Sequence, residues 1–150
     1  MPTAKAVTLK DKDGNELYPV TTIDLVNGAS QPTVTTVTAT ASSWFAPVWY
    51  KREYTDGRIV YTCYCQSPNL SFTANGWGWG GALIFPESVT YNPAKMAVSA
   101  CVVGGDSALS LSYAVLDGQN GVSVCWTNRY GGAISNVKVT INATLEIFPY

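Results

Sequence analysis

Histidine is absent from this 150-residue sequence. The usual general base goes with it, so a Ser/His/Asp or Cys/His catalytic arrangement is excluded within the chain. Charge is scarce as well: nine Lys and Arg stand against ten Asp and Glu, a formal net charge of −1. Such a balance exerts no pull toward nucleic acid or an anionic membrane. From Ile59 to Tyr150 only Glu87, Lys95, Asp106, Asp117, Arg129, Lys138 and Glu146 are charged, well below the roughly 25% of an ordinary globular chain. A surface so poor in charge is often covered by partners, and an oligomer is expected. No run approaches the ~18 apolar residues of a membrane span, and the opening MPTAKAVTLKDKDGN has no apolar signal-peptide core. Neither export nor membrane insertion by the chain's own signals is expected. Helical periodicity is missing too: no long segment repeats its apolar residues every 3.6 positions, which leaves an all-β reading.

Four cysteines are present, Cys63, Cys65, Cys101 and Cys125. Structural zinc sites favour C-x₂₋₄-C at a turn, whereas Cys63 and Cys65 are one residue apart inside a strand pattern, which points both thiols to the same sheet face. Reduced, buried thiols are expected, in keeping with synthesis in a reducing cytoplasm. No metal and no other cofactor are expected.

What the chain does have is a dominant hairpin, WYKREYTDGRIVYTCYC from Trp49 to Cys65. Asp56-Gly57 suits a two-residue type I′ turn, because glycine takes positive φ without steric cost. That turn predicts Tyr54 opposite Ile59, Arg52 opposite Tyr61, Tyr50 opposite Cys63 and Trp49 opposite Tyr64. Ile59, Tyr61, Cys63 and Cys65 fall on one face, and Val60, Thr62 and Tyr64 on the other. A hairpin bulky on both faces needs cover on both, from a second sheet, a second copy of the chain, or one of each.

Around it the chain reads as an arm and a domain. Residues 1–41 form a small β-rich N-terminal arm and linker, with a hairpin at Asp13-Gly14, a break at Pro19, an undecided segment closing at Asn27-Gly28, and a threonine-rich edge strand or stalk from Thr33 to Ala41. Residues 42–150 carry strands at the spacing of an antiparallel β-sandwich. Leu70 to Ala74 is a short strand, Asn75 to Gly81 a glycine-rich loop, and a later hairpin turns around Asp117-Gly118 and Asn120-Gly121. Arg129 to Ala133 is a loop. The terminal strand alternates cleanly, with Val137, Val139, Ile141, Ala143, Leu145 and Ile147 on its apolar face.

Two of these stretches are familiar. WYKREYTDGRIVYTCY resembles the aromatic, charged, DG-turned hairpin that opens the C-terminal β-domain of many tailed-phage and prophage tail-fibre proteins. LKDKDGNELYPVTTIDLVNG resembles a D-x-DG-x-x-YP-x-T segment found ahead of such domains in tail and baseplate proteins. Together they cover about a quarter of the chain. The resemblance implies a virion component made in the bacterial cytoplasm: a homotrimeric, non-enzymatic receptor-binding tip of a tail fibre or baseplate. Its partners would be its own copies, other tail or baseplate proteins, and a bacterial surface glycan. This chain departs from the fibres in having no long repetitive shaft, so shaft-borne metal sites are not expected.

The residues offer binding chemistry rather than catalysis. Asp13, Asp56 and Asp117 each precede glycine and read as turn formers, and Glu53, Glu87, Asp106 and Glu146 read as turn or solvated charges rather than the facing pair a glycosidase needs. Trp77 and Trp79 share a side if the chain is extended there, with glycines leaving their faces uncrowded for a pyranose ring to stack on; packing at the base of the domain or at a trimer seam is the competing reading. Trp126, Asn128, Arg129 and Tyr130 form a second, loop-borne set, or else a hairpin exit with a cation–π contact, and Asp106 lies in a turn able to approach either. A structural virion protein, such as a fibre cap or baseplate connector, and a bacterial carbohydrate-binding module are the alternative functions.

Overall fold

A computed structural model describes residues 9–10, 16–17, 32–86, 89–116 and 118–149. The chain divides into two compact units, 1–31 and 32–150. In the first, β1 (Leu9–Lys10) pairs antiparallel with β2 (Glu16–Leu17), Leu9 opposite Leu17. The turn expected at Asp13-Gly14 and the segment closing at Asn27-Gly28 lie outside the described residues.

The second unit is all-β and antiparallel, with no helix among the described residues. One sheet has five strands in the order β3 (Thr33–Thr38), β4 (Val48–Glu53), β5 (Ile59–Gln66), β12 (Val139–Ile147) and β8 (Met96–Gly104). Another has three, β7 (Trp77–Ile84), β10 (Gly121–Asn128) and β9 (Leu109–Ala114), and a pair joins β11 (Ile134–Val137) to β6 (Leu70–Phe72). Thr33 to Thr38 is thus an edge strand, as its β-branched residues favour, and it belongs to the second unit.

The central hairpin forms, but with its register moved by one residue. The Tyr54 N–H donates to the Arg58 carbonyl at 2.9 Å and the Gly57 N–H to the Tyr54 carbonyl at 3.0 Å, while Gly57 sits at φ 85°. This is a three-residue loop with glycine in the left-handed position rather than a two-residue turn. Tyr50 therefore faces Thr62, and Lys51 faces Tyr61. A slip of one residue exchanges the faces of β4: Trp49 turns inward, and Tyr50 outward. The Trp49 indole N–H donates to the Ile84 carbonyl at 2.9 Å, and its ring meets Tyr61 edge-on at 6.5 Å and Phe85 at 6.0 Å. Lys51, on the same face, reaches back to Glu53, whose hydrogen bond raises the lysine pKa.

Side chains from both sheets meet in one core: Tyr61, Cys63 and Cys65 of β5, Ile141, Ala143 and Leu145 of β12, and Leu83, Val122 and Val124 from the three-stranded sheet. The C-terminal alternation holds, although the chain bends at Lys138 and splits it into β11 and β12 in different sheets. Ser67 anchors that change: its N–H donates to the Val139 carbonyl at 2.8 Å, and its hydroxyl accepts the Val139 N–H at 2.9 Å. Cys63 and Cys65 are buried free thiols, but Cys101 is exposed and Cys125 half-buried. Cys101 departs from expectation because β8 edges its sheet and alternates inward and outward, placing residue 101 on the outer face. Burial, with the neighbouring Cys65 adding to it, pushes the Cys63 thiol up to about 11.

Candidate functional site

The stretch Asn75 to Gly81, expected as a loop, contributes most of strand β7. Its glycines are there to admit rings from the inside. A Cβ at Gly78 would stand 3.3 Å from Trp126 Cζ2, and one at Gly80 only 2.3 Å from Trp44 Cη2. Those two indoles also close on Phe72, Trp126 at 5.0 Å and Trp44 at 5.9 Å between ring centres. Large residues thus alternate with absent ones: the indoles at 77 and 79 project outward, and borrowed indoles fill the space behind 78 and 80.

A bulge then reverses the strand's phase. Trp79 faces Cys125 and Ala82 faces Ser123, so β7 spends one residue more than β10 between these pairs. Ahead of the bulge the odd-numbered residues point out; beyond it Gly81, Leu83 and Phe85 are buried.

Trp77 and Trp79 are 72% and 60% exposed. Two residues apart, they sit about 7 Å from one another along the strand. Thr127 lies opposite Trp77 and Cys125 opposite Trp79, and on the third strand Ser110 faces Thr127 and Ser112 faces Cys125. The outer face is therefore a pair of indoles bordered by short, mostly hydroxyl-bearing side chains on a hydrogen-bonded sheet. Beside Trp79 a depression of about 110 Å³ is lined by Leu116, Gln119 and Ser123.

The second predicted set divides. Arg129 is exposed, and Tyr130 is 60% exposed. Trp126 turns inward over Gly78 and Phe72, so it supports the platform from behind. Asn128, 1% exposed, is a clamp: its amide donates to the Thr73 carbonyl at 2.8 Å and the Gly132 carbonyl at 3.1 Å, and its oxygen accepts the Tyr130 N–H at 2.9 Å. A buried amide with both ends satisfied fixes the loop and presents nothing to a ligand. Asp106 does approach this set, lining a depression of about 470 Å³ with Tyr130 and Ser135. One of its carboxylate oxygens accepts the Ala108 N–H at 2.8 Å and shapes the turn into β9. The Trp77 end of β7 meets this end of the molecule, because the Asn75 N–H donates to the Tyr130 carbonyl at 3.0 Å.

The carboxylates of Glu53, Asp56 and Glu146 have structural partners. Asp56 accepts the Arg58 N–H at 2.9 Å within the hairpin loop, and Glu146 pairs with Arg58 at 2.9 Å. Glu87 and Asp117 lie outside the described residues.

Sequence reasoning read one exposed surface only in part. On the outer face of the five-stranded sheet Tyr64 is 68% and Tyr50 is 50% exposed, with Val34 and Val103 also open to solvent. The alternation of β5 announced Tyr64; Tyr50 was hidden by the one-residue register slip. Comparison with protein-family models, with curated proteins and with solved structures finds no match.

Proposed function

We propose that this chain is a non-enzymatic adhesive module, the receptor-binding domain of a tailed-phage tail fibre or tail tip, which holds a bacterial surface glycan on Trp77 and Trp79. The observation that carries the reading is the exposure of those two indoles on a strand whose glycines are already filled from behind. Exposed tryptophans on a backbone that ligand binding need not reorder are suited to stacking on the apolar faces of sugar rings. The sequence resemblance supplies the virion context.

In this reading the two sheets form a β-sandwich, and three copies associate through the outer face of the five-stranded sheet, where Tyr50, Tyr64, Val34 and Val103 are open. Aromatic residues are enriched at protein interfaces. Trimerisation would multiply weak sites into firm adsorption, since contacts after the first are intramolecular. The test is adhesion to bacterial cells and a glycan array by the purified protein and by Trp77→Ala/Trp79→Ala, with the solution mass of both. Adhesion by a trimer that the double variant loses is the expected result; adhesion untouched by the double variant removes the platform from the site.

A second reading, a structural fibre cap or baseplate connector, draws on the same open tyrosine face, which equally suits a seam between different virion proteins. Failure to bind any cell or glycan, with co-assembly onto tail proteins that Tyr64→Asp abolishes, would select it. A monomer whose tryptophan fluorescence responds to sugar would instead point to a bacterial carbohydrate-binding module.

A further inference from the structure

Two depressions meet where β5, β8 and β12 approach the loops on either side of β9 and β11. One, of about 480 Å³, runs past Gln66, Asn69 and Lys138; the other, of about 470 Å³, is bordered by Tyr130; Asp106 and Ser135 line both. Each volume falls within the ~300–1,000 Å³ of small-ligand clefts. We infer that the two make one groove across Asp106 and Ser135 that takes a neutral oligosaccharide, a subsite separate from Trp77 and Trp79; for the class of ligand this rests on the glycan reading above.

The argument is one of unspent hydrogen-bonding capacity. Asn128 uses its whole amide internally, but the side chains of Asn69 and Asn136 make no hydrogen bond among the described residues. Gln66 donates to Thr140 at 3.3 Å, which leaves its carbonyl oxygen free to accept. The second carboxylate oxygen of Asp106 likewise has no partner among the described residues. Such planar groups, each offering donors or acceptors in a fixed plane, match the paired hydroxyls of a sugar. Asn136 itself occupies the left-handed region at φ 60°, which asparagine tolerates better than other non-glycine residues, close to the bend that sends β11 on into β12. The opposed charges of Asp106 and Lys138 leave the groove without net charge, which disfavours an anionic ligand. The half-open ring of Tyr130 supplies a stacking surface at one end.

The test uses the full chain labelled with nitrogen-15 and four probes, maltohexaose, cellohexaose, chitohexaose and mannohexaose, each titrated to millimolar concentration. Backbone amides of residues 104–107 and 135–138 are expected to shift with at least one probe, and to shift equally in Trp77→Ala/Trp79→Ala. Asn136→Gly keeps the bend, because glycine accepts that φ freely, and should weaken this binding about tenfold, the effect of one lost hydrogen bond. Ser135→Trp, filling the junction, should abolish it. Shifts confined to the Trp77 and Trp79 indoles, or groove resonances unmoved by all four probes, overturn the subsite without touching the platform. Groove shifts that persist while the tryptophan pair proves irrelevant to cell adhesion uphold the subsite and sink the platform instead.

Discussion

The ring of Trp44 occupies the space in which a side chain at Gly80 would begin: a Cβ there would stand 2.3 Å from Cη2 and 2.5 Å from Cζ2. Gly80→Ala is therefore expected to destabilise the protein by about 1–3 kcal/mol through overpacking, measured by urea unfolding. The cost should shrink when Trp44 is also replaced by alanine, since residues in contact are non-additive. Gly78→Ala, whose Cβ would meet Trp126 at 3.3 Å, should cost less. Equal costs at the two positions, or strict additivity with Trp44→Ala, would contradict this packing.

Platform and clamp should separate in their effects. Trp77→Ala and Trp79→Ala remove exposed rings and are expected to change unfolding free energy by about 0.5 kcal/mol or less each, while lowering glycan adhesion. Asn128→Ala strands the Thr73 and Gly132 carbonyls and the Tyr130 N–H, and should cost about 2–4 kcal/mol. Thermal melts and adhesion assays on the same preparations distinguish the two classes.

Alkaline pH should weaken the fold through Cys63. Burial raises this thiol from its ordinary 9.0 to about 11, so the folded state holds its proton where the unfolded chain releases it. The contribution is fully present below pH 9.0 and is lost as pH rises toward about 11, by about 2–3 kcal/mol in all. Stability measured across that window should fall more steeply for the native protein than for Cys63→Ala, and parallel slopes would contradict the assignment.

Thiol labelling offers a check on the faces of the sheet. Cys101 is exposed, and Cys63 and Cys65 are buried. With the outer face of the five-stranded sheet uncovered, a thiol reagent at neutral pH should modify Cys101 first, followed by half-buried Cys125, and reach Cys63 and Cys65 only after denaturant is added; a contact between copies across that face would protect Cys101, which lies in the same cross-strand row as Tyr64. Rapid labelling of Cys65 in the native state would show that the core face of β5 is open.

If the outer tyrosines seal a contact between copies, Tyr50→Asp/Tyr64→Asp should convert an oligomer to a monomer by sedimentation, because each buried charge would lack a partner. Folding should survive, since both side chains already meet solvent in the isolated chain. A wild-type protein that sediments as a monomer would remove the trimer outright.

Much of the strand placement was legible because alternation is a direct record of which face is wet, but the order of strands within the sheets was not. The apolar series from Val137 to Ile147 needed only a period of two to be read: its members at 137, 139, 141, 143 and 145 are buried and Ile147 is half-buried. The hairpin was legible in place but not in register, since Asp56-Gly57 suits a two-residue turn and a three-residue loop alike. Local chemistry leaves that choice open; the fit of Trp49 between Tyr61, Phe85 and the Ile84 carbonyl distinguishes the registers. The glycines of β7 misled for a related reason. A glycine that frees the backbone and a glycine that makes room for a distant ring look the same in one dimension, and Trp44 is far from Gly80 in sequence. Of the candidate site, the shared side of Trp77 and Trp79 was visible from spacing but its exposure was not, and the inward turn of Trp126 and Asn128 depended on partners that no local pattern names.

The extra residue in β7 lets its two ends answer to different demands. Leu83 and Phe85 are tied to their neighbours in the interior, but positions 77 and 79 owe nothing to that fit. Changes of aromatic type at those two places would be invisible to folding. The front of the strand is accordingly free to change its side chains while its rear stays committed to the core.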